Sequence, residues 1–223
     1  MKYPIHNIEV SLSKRLLSYF YPVRIRRDSS VLNSLLELYL YRGQLQLATT
    51  DALYSDGDRY RPMTAAFKKI KKELAQVKRV LVLGTGLGST VNIMHRYGYH
   101  PHFTLVDHDK IVLQWALEFL HNATPENVTA VCADANEFVK NNTGKFDLLI
   151  VDIFSGRVVP PFVTTDTFLE NCHDKINSGG HLVLNYIVVN TQEWERVRNL
   201  FTTVFPTHHI IEIQTNRILI ATV

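Results

Sequence analysis

At 223 residues the chain can bury one substantial core, which argues for a single α/β domain with a short additional segment and against a third domain. A formal charge of +3 at pH 7 is too small for a phosphate-tracking nucleic-acid surface, and no stretch nears the roughly 18 apolar residues that a membrane span needs. Only Cys132 and Cys172 occur and Met1–Val10 has no apolar h-region, so a reduced, cytoplasmic setting is expected.

The segment to about Gly57 is rich in tyrosine. Residues 12–21 fit a short helix or a strand equally well. LELYLYRGQLQLATT has two alternating runs around Arg42-Gly43 and predicts a β-hairpin. The expected division is therefore an N-terminal β-hairpin segment, 1–57, and a second domain, 58–223. Pro62 opens a predicted helix over 62–77, whose apolar Met63, Phe67, Ile70, Leu74 and Val77 recur at spacings of three and four. Lys68, Lys69, Lys71 and Lys72 read as its solvated face. From Arg79 onward, strands are predicted at 79–83, 103–107, 128–132, 146–152, 181–187, 209–214 and 217–222, with helical spacing between the first six. The last two strands are separated by Thr215-Asn216 alone, too short for a helical crossover, so they must pair antiparallel. A mainly parallel seven-stranded Rossmann-like sheet closed by an antiparallel hairpin is the class I AdoMet-dependent methyltransferase fold. Nicotinamide-binding sheets continue with parallel units instead.

VLVLGTGLG, residues 80–88, runs an apolar strand into Gly84, Gly86 and Gly88, and a helix is predicted to begin at Ser89 or Thr90. Three glycines within five residues are costly in backbone entropy, which favours a ligand cradle over a merely tight turn. Ser89 stands where GxGxxG would place its third glycine, which weakens the dinucleotide reading. Asp107 ends the second strand and Asp134 follows the third. Both fall at the carboxyl edge of an open parallel sheet, where one acid can accept from ribose hydroxyls and the other from an adenine amine. Each has a structural alternative: Asp107 or Asp109 as the cap of helix 110–122, and Asp134 as the cap of helix 135–141. Asp152 ends FDLLIVD before the polar turn Ser155-Gly156-Arg157, placed to take a proton from an attacking amine. The alternative is an acid bonded to local backbone.

KRVLVLGTGLGST, TLVDHD, CADANEF, KFDLLIVDIFSG and INSGGHLVLNYI together resemble the successive motifs of spermidine synthases, the polyamine aminopropyltransferases, over about residues 38–187. Upstream, LYLYRGQLQLATTDALYSDGDRYRPM is similar to that family's small N-terminal β-segment. The resemblance implies that decarboxylated AdoMet is bound and its aminopropyl group passed to a diamine. It assigns ribose binding to Asp107, adenine binding to Asp134 with Ala135 beside it, catalysis to Asp152, and a place near the amine to Tyr60.

Two departures accompany it. The family's GGGDGG has an aspartate where this chain has Leu87, and its DxxD loop has a second acid where this chain has Ser155. A diamine would lose two carboxylate partners. The acid that ordinary methyltransferases place near the end of strand one is absent from Val80–Leu83 as well; Asp51, Asp56 or Asp58 could supply the lost charge. The expected reaction is thus alkyl transfer, aminopropyl or methyl, from AdoMet or decarboxylated AdoMet to a small amine-type acceptor, with no metal. The rivals are a small-molecule methyltransferase, a catalytically idle nucleoside-binding or oligomerisation module and, last, a nicotinamide-dependent reductase. Arg157 and Tyr186 are expected on the acceptor side. Val159–Phe162 is expected to form a loop lid, His95, His100, His102 and His108 to lie on the surface, and Cys132 to lie in the core. A homodimer is expected through the hairpin, whose tyrosines and leucines exceed what two strands can bury.

Overall fold

The computed structural model describes residues 10–50, 52–120 and 127–223. Residues 12–21, ambiguous in sequence, begin as helix α1 (Leu12–Leu17), where the Ser11 hydroxyl accepts from the Lys14 N–H. Four strands follow, β1 (Val23–Asp28), β2 (Leu36–Tyr41), β3 (Gln44–Ala48) and β4 (Leu53–Ser55), paired antiparallel in chain order. The expected hairpin is β2–β3. Arg42 and Gly43 both have positive φ, 49° and 73°, as a two-residue turn matched to strand twist requires. The N-terminal unit is larger than a hairpin because β1 and β4 extend it on both sides.

The inner leucines of this sheet are not left for a second copy of the chain. Leu36, Leu38 and Leu47 pack with Leu87, Val112, Trp115 and Phe119 of the following domain. These leucines, part of the apolar surplus behind the dimer expectation, are buried within the chain, whereas Tyr39 and Tyr41 of β2 are half-buried. Exposed apolar side chains lie on α1 and just after it, at Leu12, Leu16, Tyr19 and Phe20.

The helix expected over 62–77 breaks in two. Helix α2 (Arg61–Lys69) ends at Ile70, and a 3-10 turn, Glu73–Gln76, carries Leu74 back to the core. Lys68, Lys69, Lys71 and Lys72 are exposed as expected. Their repulsion at spacings of three and four opposes one continuous helix.

Seven strands form the second sheet: β5 (Arg79–Leu83), β6 (His102–Asp107), β7 (Val128–Cys132), β8 (Phe146–Val151), β9 (Ile176–Ile187), β10 (His208–Ile213) and β11 (Asn216–Thr222). Their order is β10-β11-β9-β8-β5-β6-β7, and β11 runs antiparallel to both neighbours while the remaining pairs are parallel. The closing turn is Gln214-Thr215, one residue earlier than expected. The crossovers carry helices α3 (Ser89–Arg96), α4 (Lys110–Phe119), α5 (Ala135–Asn141), α6 (Asp166–Asp174) and α7 (Thr191–Val204). In β5, Val80 and Val82 enter the core on one face with α2 and α3, and Leu81 and Leu83 enter the core on the other with α6 and α7. A strand buried on both faces reads as an unbroken apolar run.

Three expectations fail here. His95 is buried, because it shares a face of α3 with Val91 and Met94 and meets the edge of Phe103 at 5.7 Å between ring centroids. Cys132 is exposed, because it ends β7, the edge strand. Val159–Phe162 is no lid over the cleft: Val159 is buried, a 3-10 turn (Pro161–Thr164) follows, and Phe162 packs edge-on against Phe168.

Candidate active site

The carboxyl ends of β5, β6 and β8 and the segment joining β4 to α2 enclose a cleft of about 550 Å³, a size typical of small-molecule sites. Its floor is the glycine turn. Gly84 has φ 86°, and a Cβ there would come within 2.3 Å of the Asp152 carbonyl oxygen; Gly86 has φ 51°, and its Cβ would lie 3.0 Å from the Tyr54 carbonyl oxygen. The turn is thus where the ends of β5 and β8 and strand β4 converge too closely for side chains. Gly88 does not line the cleft; a Cβ there would strike Leu120, so this glycine seats α3 against the end of α4. Helix α3 starts at Ser89, whose hydroxyl shares a buried 2.7 Å hydrogen bond with Ser55 of β4.

Asp107 ends β6 at the cleft wall. One carboxylate oxygen accepts from the Thr85 N–H and the other from the Asp109 N–H, both at 2.9 Å. Burial raises its pKa, and the two backbone donors counter part of that effect. The cap of α4 is Asp109, which accepts from Ile111 and Val112 and also from the Ser30 hydroxyl and the Asn33 amide. Burial opposes ionisation of Asp109, but those side-chain and backbone donors outweigh it and hold its pKa below the usual carboxylate range. Asp134 caps α5 through the Glu137 N–H and is exposed, whereas its neighbours Ala133 and Ala135 line the cleft.

Asp152 lies just past β8. Its Oδ1 accepts from the Tyr60 hydroxyl at 2.9 Å and from the Asn185 amide at 2.8 Å, and that amide is also 2.9 Å from the Tyr60 oxygen. The Asn216 amide donates in turn to Asn185 Oδ1 at 2.8 Å, which fixes the Asn185 nitrogen toward Asp152. Burial pushes the Asp152 carboxyl up to about 6, against the opposing effect of its two donors. Burial and the neighbouring carboxylate together push the Tyr60 hydroxyl well above its ordinary value, so it remains a donor. Asn185 and Asn216 have no part in the motif reading. The signal for Asn185 is present all the same: a lone amide inside HLVLNYI, buried in the sheet, must find partners.

Residues 58–215 match the spermine/spermidine synthase domain. The chain belongs to that family. Over 111 residues, 48% of its length, it is 29% identical to the N-terminal histidine N-methyltransferase of Emericella nidulans, and the match spans 19% of that protein. Over a match of the same length it is 27% identical to the polyamine aminopropyltransferase of Vibrio vulnificus, spanning 37% of that protein. The crystal structure of a spermidine synthase in complex with the transition-state analogue AdoDATO superposes with a TM-score of 0.71 at 16% identity, covering 89% of this chain and 73% of that one. The fold shared with that structure is the seven-stranded class I AdoMet-dependent methyltransferase fold.

Within this spermidine synthase-domain protein, the two positions that lack the family's acids lie apart. Leu87 is buried against Leu36, Trp115 and Phe119, away from the cleft, while Ser155 lines it. Asp56 lines the cleft but is held by Arg59 and the Gln46 amide, and Asp58 pairs with Arg96 at 2.9 Å. Asp51 lies outside the described residues. Arg157 lines the cleft. Tyr186 does not: it is buried and stacks on Trp194, because its side chain points to the α7 face of β9. Among the described residues no group of three or more His, Cys, Asp or Glu side chains is arranged to hold a metal.

Proposed function

We propose that the protein is an alkyltransferase that uses AdoMet or its decarboxylated form and passes an aminopropyl or methyl group to a small amine. The carrying observation is Asp152, a part-buried carboxyl with a pKa near 6, fixed by Tyr60 and Asn185 beside the glycine turn. Its Oδ1 accepts both donors. Oδ2, at the cleft wall, has no protein donor among the described residues. The fit to an adenosyl group rests on the side-chain-free floor at Gly84 and Gly86 and on Asp107, whose two oxygens are each held by one backbone N–H and keep lone pairs for ribose hydroxyls.

In the proposed reaction the amine nitrogen displaces a neutral thioether from the sulfonium-bearing carbon, and Asp152 Oδ2 takes the proton that the nitrogen loses. A base with a pKa just below the working pH is mostly ionised yet still proton-accepting. Alignment of nitrogen, carbon and sulfur supplies the greater part of the acceleration. The test pairs methylthioadenosine binding, by calorimetry, with turnover across an amine panel. Asp152→Asn should keep methylthioadenosine binding and lose turnover by about 10²-fold or more. Unchanged turnover in that variant would remove Asp152 from the reaction. Leu87 and Ser155 support a second reading, an idle nucleoside-binding module. Tight methylthioadenosine binding with no product from any amine is its signature.

A further inference from the structure

Two guanidinium groups lining the cleft have no partner among the described residues, whereas the acids there are all held by hydrogen bonds, Asp56 alone among them also by an ion pair. Each acid lining it is already engaged. Asp107 holds two backbone N–H groups, Asp152 holds Tyr60 and Asn185, and Asp56 is paired with Arg59 at 2.9 Å and accepts from Gln46. Asp109 is saturated by two backbone and two side-chain donors and carries a lowered pKa.

The basic side chains of the same cleft are not saturated. Arg61 and Arg157 line it, are exposed, and their guanidinium groups form no ion pair or hydrogen bond with any described residue. They stand on the two segments that deliver the reacting groups: Arg61 follows Tyr60, and Arg157 lies in the loop after Asp152. Arg59 also lines the cleft. It commits Nη2 to Asp56 and the Tyr41 carbonyl and leaves a buried Nε–H without a partner. A dicationic amine entering here would meet two guanidinium groups that have no partners of their own, a like-charge juxtaposition that disfavours it.

We infer that this cleft binds a carboxylate-bearing substrate, with Arg61 and Arg157 as the anion-recognising pair beside Asp152. The inference rests on the alkyltransferase reading and narrows it. A guanidinium presents a planar fork of donors that matches a carboxylate bidentately. The chemistry has two sources, the methionine end of intact AdoMet or a carboxylate carried by the amine acceptor. In either case the substitution at Ser155, which lines the cleft, is coherent, because an acid there would repel the anion.

The test uses two pairs of probes that differ only by a carboxylate, AdoMet against decarboxylated AdoMet and ornithine against putrescine, with methylthioadenosine, which lacks both end groups, as reference. Calorimetry is run on the full chain and on Arg61→Gln, Arg157→Gln and the double variant; the amines are titrated with methylthioadenosine present. The expected result is at least a tenfold preference for the carboxylated member of one pair, and the pair that shows it identifies the source. In the double variant that preference should fall to within about twofold of unity while methylthioadenosine affinity holds. Preference for decarboxylated AdoMet and putrescine, or a carboxylate preference untouched in every variant, overturns the inference. If methylthioadenosine binds with no preference in either pair, the inference fails while the nucleoside site stands. If methylthioadenosine does not bind, both fail.

Discussion

At the Asp152 carboxylate, three neutral side chains set one charge. Asn185 is buried, and its amide can stabilise Asp152 only if the nitrogen faces it. Asn216, on the first position of β11, imposes that orientation by donating to Asn185 Oδ1. Replacing Asn185 by leucine removes a donor that lowers the carboxyl pKa, so the Asp152 value should rise from about 6. The acid limb of the turnover profile should move to higher pH, with methylthioadenosine affinity unchanged. Asn216→Ala should shift the limb in the same direction but less, because Asn185 keeps its nitrogen and loses only its orienting partner. A pH–rate profile that stays in place in both variants, with only its height reduced, would mean that they act by loosening the fold. Motif spacing leads to Asp152 and Tyr60 but not to this pair, because the contact joins residues from β9 and β11 through sheet pairing that no local pattern encodes. Asp134 marks another limit: a strand-end acid in the family pattern also caps a helix through Oδ1, and spacing alone does not reveal which uses it serves.

Among the elements, the large parallel sheet is legible because β5, β6 and β8 are buried on both faces and read as apolar runs, each with its end marked by a glycine or an acid. Strand β1, VRIRRD, is not legible. It is mostly exposed at the edge of the small sheet, and its alternation, Val23-Arg24-Ile25-Arg26, is too short and too charged to stand out. Nor does any local signal reveal that the small sheet docks on α4, since that contact depends on Leu87 turning out of the glycine turn to meet Leu38 and Trp115. This turn of the chain makes a prediction about restoring the family's acid. Leu87→Asp would place a carboxylate in an apolar cluster, not in the cleft, at a cost of about 3 kcal/mol or more from lost burial and an unpaired charge. Urea unfolding should show that loss, and putrescine should bind no better. Improved putrescine binding at undiminished stability would mean that the position faces the ligand.

Over the whole molecule, two buried titrating groups set opposing slopes in stability against pH. His95, beside His100 and with Nε2 unpartnered, is held neutral by burial, and its pKa falls from 6.5 to about 4. Between those values the unfolded chain binds more protons, so this group makes stability rise with pH. Asp152 is raised from 3.8 to about 6, so between those values the folded chain binds more protons and this group makes stability fall with pH. Each effect is worth up to about 3 kcal/mol, and over roughly pH 4 to 6 the two offset one another. The single variants should therefore separate what the native curve conceals. Asp152→Asn removes the falling contribution, so its stability should climb more steeply from pH 4.5 to 6 and exceed that of the native protein at pH 7. His95→Leu removes the rising contribution, so its stability should decline across the same interval relative to the native protein. The two side chains share no partner among the described residues, so their effects should add, and the double variant should recover the native slope. The perturbed acids Asp107, Asp109 and Asp147 remain in all four proteins and cancel in the comparison. Urea unfolding at pH 4.5, 5.5 and 7 provides the measurement. Parallel curves for the native protein and both single variants would show that neither burial perturbs its group, and would remove the basis for treating Asp152 as a base tuned by the fold.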